Sequence, residues 1–198
     1  TRIRGKAEAI GNPTAVLGAG LPSVYALISQ GKLSAAAEVA ADTESLARML
    51  CTPAHLALAL ANRSLVTAMM GDETLAESQV VLARRAARDI EVKFHTGAVG
   101  YALGFESLLL GHYERAIQLL LQFSGGPELA SIGNAGKAVG FAVLVRSAAA
   151  TGNIAAASNW CSSSAEWARV TGLAEAQCAA STAAAWLHIA KGEHTDAA

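Results

Sequence analysis

The sequence predicts an all-α fold, an α-solenoid of antiparallel helix hairpins with roughly nine or ten helices. Three observations carry that expectation. A Gly-x-x-x-x-Ala motif recurs as Gly31-Lys-Leu-Ser-Ala-Ala36, Gly71-Asp-Glu-Thr-Leu-Ala76, Gly111-His-Tyr-Glu-Arg-Ala116, Gly152-Asn-Ile-Ala-Ala-Ala157 and Gly192-Glu-His-Thr-Asp-Ala197. Its glycines stand 40, 40, 41 and 40 residues apart, too regular for accident even in an alanine-rich chain. A helix-like segment of about 17 residues precedes each glycine, and no strand-like alternation of useful length appears.

Each element follows from the motif. Glycine adopts the left-handed conformation that ends a helix without a Cβ penalty. A second helix then starts within a few residues, and its alanine lets the two helices approach closely. One hairpin cannot bury its apolar face alone, whereas stacked neighbours bury it together. First helices of the repeats (A) are expected near 14–30, 54–70, 93–110, 136–151 and 174–191. Second helices (B) are expected near 33–49, 73–89, 112–123 and 154–170, with a fifth starting at 193. The repeats 14–50, 54–90, 93–133, 136–171 and 174–198 then form a single helical-repeat domain. Pro53 sits just inside a helix start, where a missing N–H costs nothing. Asp72 and Asn153 are expected N-caps. Pro22 predicts either a kink in the first A helix or its true start. The stretch Ser124-Gly-Gly-Pro-Glu-Leu-Ala-Ser-Ile-Gly-Asn134 is read as a loop replacing the back half of the third B helix. The fifth repeat is cut short at Ala198 without a polar capping helix, so the repeats are expected to continue in a longer protein.

Composition narrows the function classes. The 198 residues are 53% apolar and include 45 alanines but only 10 aromatic residues. That apolar fraction builds a core and excludes intrinsic disorder. A net charge of −1 argues against a nucleic-acid binder, whose footprint would be strongly basic. Three cysteines at unrelated spacings (Cys51, Cys161, Cys178) argue against a disulfide framework and for a reducing, cytoplasmic compartment. The mean hydropathy of +0.34 raises the question of a membrane. Arg63, Glu106, Lys137 and Arg146 break the richest stretches well short of the roughly 18 apolar residues a span needs.

The hinge resembles that of tetratricopeptide-type repeats, and a period near 40 resembles the looser variant in bacterial signal-transduction ATPases. More narrowly, Ala102-Leu-Gly-Phe-Glu-Ser-Leu-Leu-Leu-Gly-His-Tyr-Glu-Arg-Ala-Ile117 is similar to the helical-repeat region of large ATP-binding LuxR-type transcriptional regulators. Trp167-Ala-Arg-Val-Thr-Gly-Leu-Ala-Glu-Ala-Gln-Cys178 and the glycine-rich interruption resemble the same region. The resemblance implies an ATPase domain before the repeats and a helix-turn-helix after them. Neither lies in these residues, so neither activity is assigned to them.

Motifs for chemistry are sparse. Gly133-Asn-Ala-Gly-Lys-Ala138 imitates a phosphate-binding loop, but position 131 is Ser, position 138 is Ala and no strand precedes it. Gly18-Ala-Gly-Leu-Pro-Ser lacks dinucleotide-fingerprint spacing. His55, His95, His112, His188 and His194 form no metal-ligand spacing, although His55 and His95 share one repeat position. Ser162, Ser163 and Ser164 lie on a B helix rather than a strained elbow. The basic cluster Arg84, Arg85 and Arg88, followed by Asp89 and Glu91, reads as a solvated face or a cation-favouring helix end. No catalysis and no cofactor are expected.

The residues six before each hinge glycine are Tyr25, Leu65, Phe105, Arg146 and Trp186. One turn earlier stand Leu21, Ala61, Tyr101, Ala142 and Thr182, with Asn62 beside them. Two readings stay open: a concave groove of Tyr25, Asn62, Leu65, Tyr101, Phe105, Arg146 and Trp186, or side chains filling space between A helices. A buried arginine needs an anionic partner, and Glu106 is the candidate for Arg146. The column seven before the glycine (Val24, Ser64, Gly104, Val145, Ala185) is mostly small, as closely packed helices require. The expected function is a non-catalytic protein-interaction or sensor module of a bacterial transcriptional regulator. Its partner would be another protein or a second copy in a homodimer, with no nucleic acid and no membrane. The alternatives are a small-molecule effector-binding solenoid and, further off, a helical enzyme with a cavity between A helices.

Overall fold

The computed structural model describes residues 5–6, 9, 11–88, 90 and 93–193. The expected fifth B helix, His194 included, and the acids Asp89 and Glu91 lie outside the described residues. The fold is all-α. The A positions carry α1 (Pro13–Ser29), α3 (Pro53–Met69), α5 (Lys93–Leu109), α7 (Asn134–Ala150) and α9 (Ala174–Lys191). The B positions carry α2 (Leu33–Met49), α4 (Glu73–Ala86), α6 (Tyr113–Phe123) and α8 (Ile154–Thr171). No strand occurs among the described residues, and no helix among them is long and apolar enough to cross a membrane.

The hinges explain the helix boundaries. Gly31, Gly71, Gly111, Gly152 and Gly192 all have positive φ, between 71° and 88°. At each hinge the glycine N–H donates to the carbonyl three back, and the next N–H donates to the carbonyl five before it. Thus Lys32 donates to Leu27, Asp72 to Thr67, His112 to Ser107, Asn153 to Ala148 and Glu193 to His188. This paired closure satisfies the last carbonyls of the ending helix. The new helix is then capped where the sequence provides an oxygen. Asp72 Oδ1 accepts from the Leu75 N–H, and Asn153 Oδ1 accepts from the Ala156 N–H. Ala36, Ala76, Ala116 and Ala157, five after their glycines, are each 0% exposed. Helix α1 starts at Pro13, capped by Asn12, and runs through Pro22, so Pro22 is not its start.

Packing is uneven along the chain. Each of the first four A helices lies on the B helix that follows it, and α9 lies on α7 and α8. Helix α3 packs closely on α5, and α7 on α9, whereas α1–α3, α5–α7 and α4–α5 barely touch. Buried Glu44 ties α2 to α3. Its carboxylate accepts from Arg48 and from Arg63 on the next helix. Burial pushes this carboxyl up, but the two guanidiniums outweigh it and hold it below its ordinary value.

Residues 124–133 form the expected loop. Two glycines on α5 and two on α7 make the slot it occupies. A Cβ on Gly97 would stand 2.1 Å from the Ser131 carbonyl oxygen, and one on Gly100 would stand 2.6 Å from Ser124 Oγ. A Cβ on Gly140 would meet Leu129 at 2.9 Å, and one on Gly136 would meet Ile132 at 3.1 Å. Leu129 adopts φ 48°, costly for a branched residue, and its side chain is fully buried among Leu120, Phe141 and Leu144. Burial of that leucine offsets the strain.

Candidate ligand pocket

A cavity of about 460 Å³ opens where α1, α5, α7 and the glycine-rich loop meet. Tyr25 from α1 and Tyr101 from α5 form one wall, with ring centroids 5.9 Å apart and planes at 47°. Phe105 continues the aromatic run 6.0 Å from Tyr101. Ala98, Ile132 and Val139 add apolar surface, and Glu175 of α9 supplies an exposed carboxylate at the rim. Gly133 begins α7 there without any side-chain cap. The Gly136 N–H donates to the Gly133 carbonyl at 2.8 Å, and the helix dipole favours an acceptor beside the remaining first-turn N–H groups.

The Tyr25 hydroxyl is buried and has no hydrogen-bond partner among the described residues. Burial, then the neighbouring Tyr101, pushes its pKa far above the ordinary phenol value. Tyr101 is raised too, by burial and then by the Glu175 carboxylate. Both phenols stay neutral donors throughout the physiological range. An unsatisfied buried hydroxyl costs about 1–3 kcal/mol. A ligand acceptor reaching it would recover that loss.

The seven groove residues do not form one surface. Tyr25 and Tyr101 line the cavity, and Phe105 touches Tyr101. Leu65 and Asn62 are 0% exposed and belong to the interior, because α3 is packed between α2, α4 and α5. Both amide atoms of Asn62 lack partners among the described residues. Arg146 is half-buried with its guanidinium 4.8 Å from the centre of the Trp186 ring, so it is held by an aromatic face. Glu106 does not serve it. That carboxylate accepts from Ser107 Oγ at 2.9 Å and faces Arg115 at 3.5 Å. Arg115 also grips Glu77 of α4 at 2.6 Å.

His55 and His95, at one repeat position, meet edge to face at 4.9 Å. Burial and then the His95 ring lower the His55 pKa. Among the described residues no group of three His, Cys, Asp or Glu side chains is placed to hold a metal ion. Sequence reasoning missed Gly97, Ile132, Val139 and Glu175. The available signal was the spacing of glycines at 97, 100 and 104 on one A helix and at 133, 136 and 140 on the next. No family model, curated protein or solved structure matches this chain.

Proposed function

We propose that this chain is a non-catalytic ligand-sensing module, a tetratricopeptide-like solenoid that holds a small molecule against the wall formed by Tyr25 and Tyr101. One observation carries the reading: Tyr25, whose buried hydroxyl lacks a partner among the described residues, lines the 460 Å³ cavity. That volume suits a small ligand with a flat apolar body, within the usual range of such sites. The hydroxyl and the α7 N-terminus both ask for an acceptor, which gives the ligand an oxygen-bearing end. The hinge motif and segments 102–117 and 167–178 support a place among the repeats of large ATP-binding LuxR-type regulators. Pocket occupancy would there bias contacts with neighbouring domains.

A thermal-shift screen of metabolites against the native chain is expected to find ligands that raise Tm. Tyr25→Phe is expected to raise the unfolding free energy by about 1–3 kcal/mol, because it removes a buried hydroxyl that makes no bond. The same substitution weakens such a ligand about tenfold in isothermal titration, the equivalent of roughly 1.4 kcal/mol. An affinity indifferent to Tyr25→Phe places the ligand elsewhere and sinks the pocket reading.

A second reading, partner binding or self-association, rests on apolar side chains at and beside the hinges. Met70 is 54%, Leu75 43% and Leu109 38% exposed. If this edge is an interface, light scattering finds a dimer in the native chain and a monomer in the Met70→Glu, Leu109→Glu double variant. A native monomer at 100 micromolar (about the upper range of transient dimers) argues against self-association.

A further inference from the structure

We propose a second ligand site, for a compact polyanion of the pyrophosphate type, at Arg84, Arg85 and Arg88. Val81, Arg84 and Arg85 share one face at the end of α4, and Arg88 follows in the turn just past Ala86. In a regular stack that face would meet the next hairpin. Here α5 has moved onto α3 and barely touches α4, and α6 stops early at Phe123. The resulting cleft is a cavity of about 580 Å³ lined by the three arginines. Thr96, Phe123 and Ser131 close its far side.

Among the described residues no carboxylate lines this cavity. Among the described residues none of the three guanidiniums makes a hydrogen bond or an ion pair. The contrast with other arginines is direct. Arg48 and Arg63 hold Glu44, Arg115 holds Glu77, and Arg169 holds Glu166. Three like charges within a turn repel one another. A cation-favouring helix end explains why arginine is tolerated at these positions. It does not explain three unpaired guanidiniums lining one cleft in a chain of net charge −1. Guanidinium forks match phosphate oxygens bidentately, and three of them suit two adjacent phosphate groups better than one carboxylate. The three arginines sit within five consecutive residues rather than along a track, which favours a small anion over a nucleic-acid strand. This site does not depend on the Tyr25 pocket.

The test is isothermal titration of the native chain with inorganic pyrophosphate, with ATP and with inorganic phosphate, at low salt. Pyrophosphate is expected to bind with submillimolar affinity, at least tenfold tighter than phosphate. Both polyphosphates are expected to lose about tenfold or more in the Arg84→Gln, Arg85→Gln, Arg88→Gln triple variant. The control Arg169→Gln, on α8, keeps native affinity, and Tyr25→Phe does too. Higher salt weakens binding, because exposed charges are screened. ATP binding more tightly than pyrophosphate identifies a nucleotide whose base reaches Phe123, while equal affinities identify the phosphates alone. Absence of pyrophosphate and ATP binding overturns the site. So does an equal loss in the Arg169→Gln control, which would indicate unspecific charge attraction. A single-stranded RNA that binds more tightly with every added nucleotide replaces the small-anion reading with a nucleic-acid one. Circular dichroism establishes that the triple variant is folded before any loss is counted.

Discussion

Replacing Gly97 with alanine is expected to lower the unfolding free energy by about 2–4 kcal/mol in urea denaturation. The new methyl would lie 2.1 Å from the Ser131 carbonyl oxygen and 2.5 Å from its carbon. Both are backbone atoms, so no side chain can rotate out of the way. Either the loop lifts or α5 shifts. Lifting the loop pulls Leu129, 0% exposed, from its cluster and forfeits about 1.5–3 kcal/mol of burial. Alanine returns about 1 kcal/mol through better helix propensity, which is too little to reverse the sign. Gly18 provides the control. A Cβ there has nothing within 4 Å, so Gly18→Ala is expected to stabilise by about 0.5–1 kcal/mol. If both substitutions stabilise the chain, the slot does not constrain the loop.

The second large effect is a pH dependence centred on Glu106. Its side chain is 0% exposed, and one carboxylate oxygen has no partner. Burial pushes its pKa up to about 7, against the Ser107 hydrogen bond and Arg115, while Glu77 and Glu73 push it further. The unfolded chain releases this proton near 4.5, the folded chain near 7. Between those values the native state binds the extra proton, so stability falls as pH rises and then levels off above 7. The total is about 3 kcal/mol at roughly 1.4 kcal/mol per pH unit. His55 acts in the opposite sense. Its lowered pKa makes stability rise as pH climbs from its folded value to its ordinary one.

A comparison with Glu106→Gln separates the two, since glutamine mimics the protonated carboxyl and leaves His55 alone. Urea titrations at several pH values should show the variant nearly as stable as the native chain at pH 5. At pH 8 it should exceed the native chain by about 2–3 kcal/mol. A stability difference that does not change with pH would mean that Glu106 ionises alike in both states.

The hinges were legible because their chemistry is local. A left-handed residue followed by a buried small one is written into six consecutive positions, and all five glycines take the conformation that requires. The interruption at 124–134 was legible for the same reason. The pocket was not, because it depends on how far each helix hairpin turns relative to the next. Reading one column as one surface assumes equal turns. In fact α3 and α5 are close while α1 and α3 are splayed. Leu65 therefore sinks inside, and Tyr25 meets Tyr101 from a different column rather than Phe105 from its own. Glu106 was misassigned for a related reason. Arg115 reaches it across the α5–α6 hairpin, a contact that column spacing does not encode.

The loop in its glycine-lined slot also bears on how the helices on either side of it meet. Helices α5 and α7 touch little, so the hairpins before residue 124 and the helices after 133 meet chiefly through α6, α7 and the loop wedged beside them. Leu129 and Ile132 act there as a keystone, seated against glycines on α7. Both cavities have a wall on this boundary, so whatever fills either one presses on the loop that joins the two groups of helices.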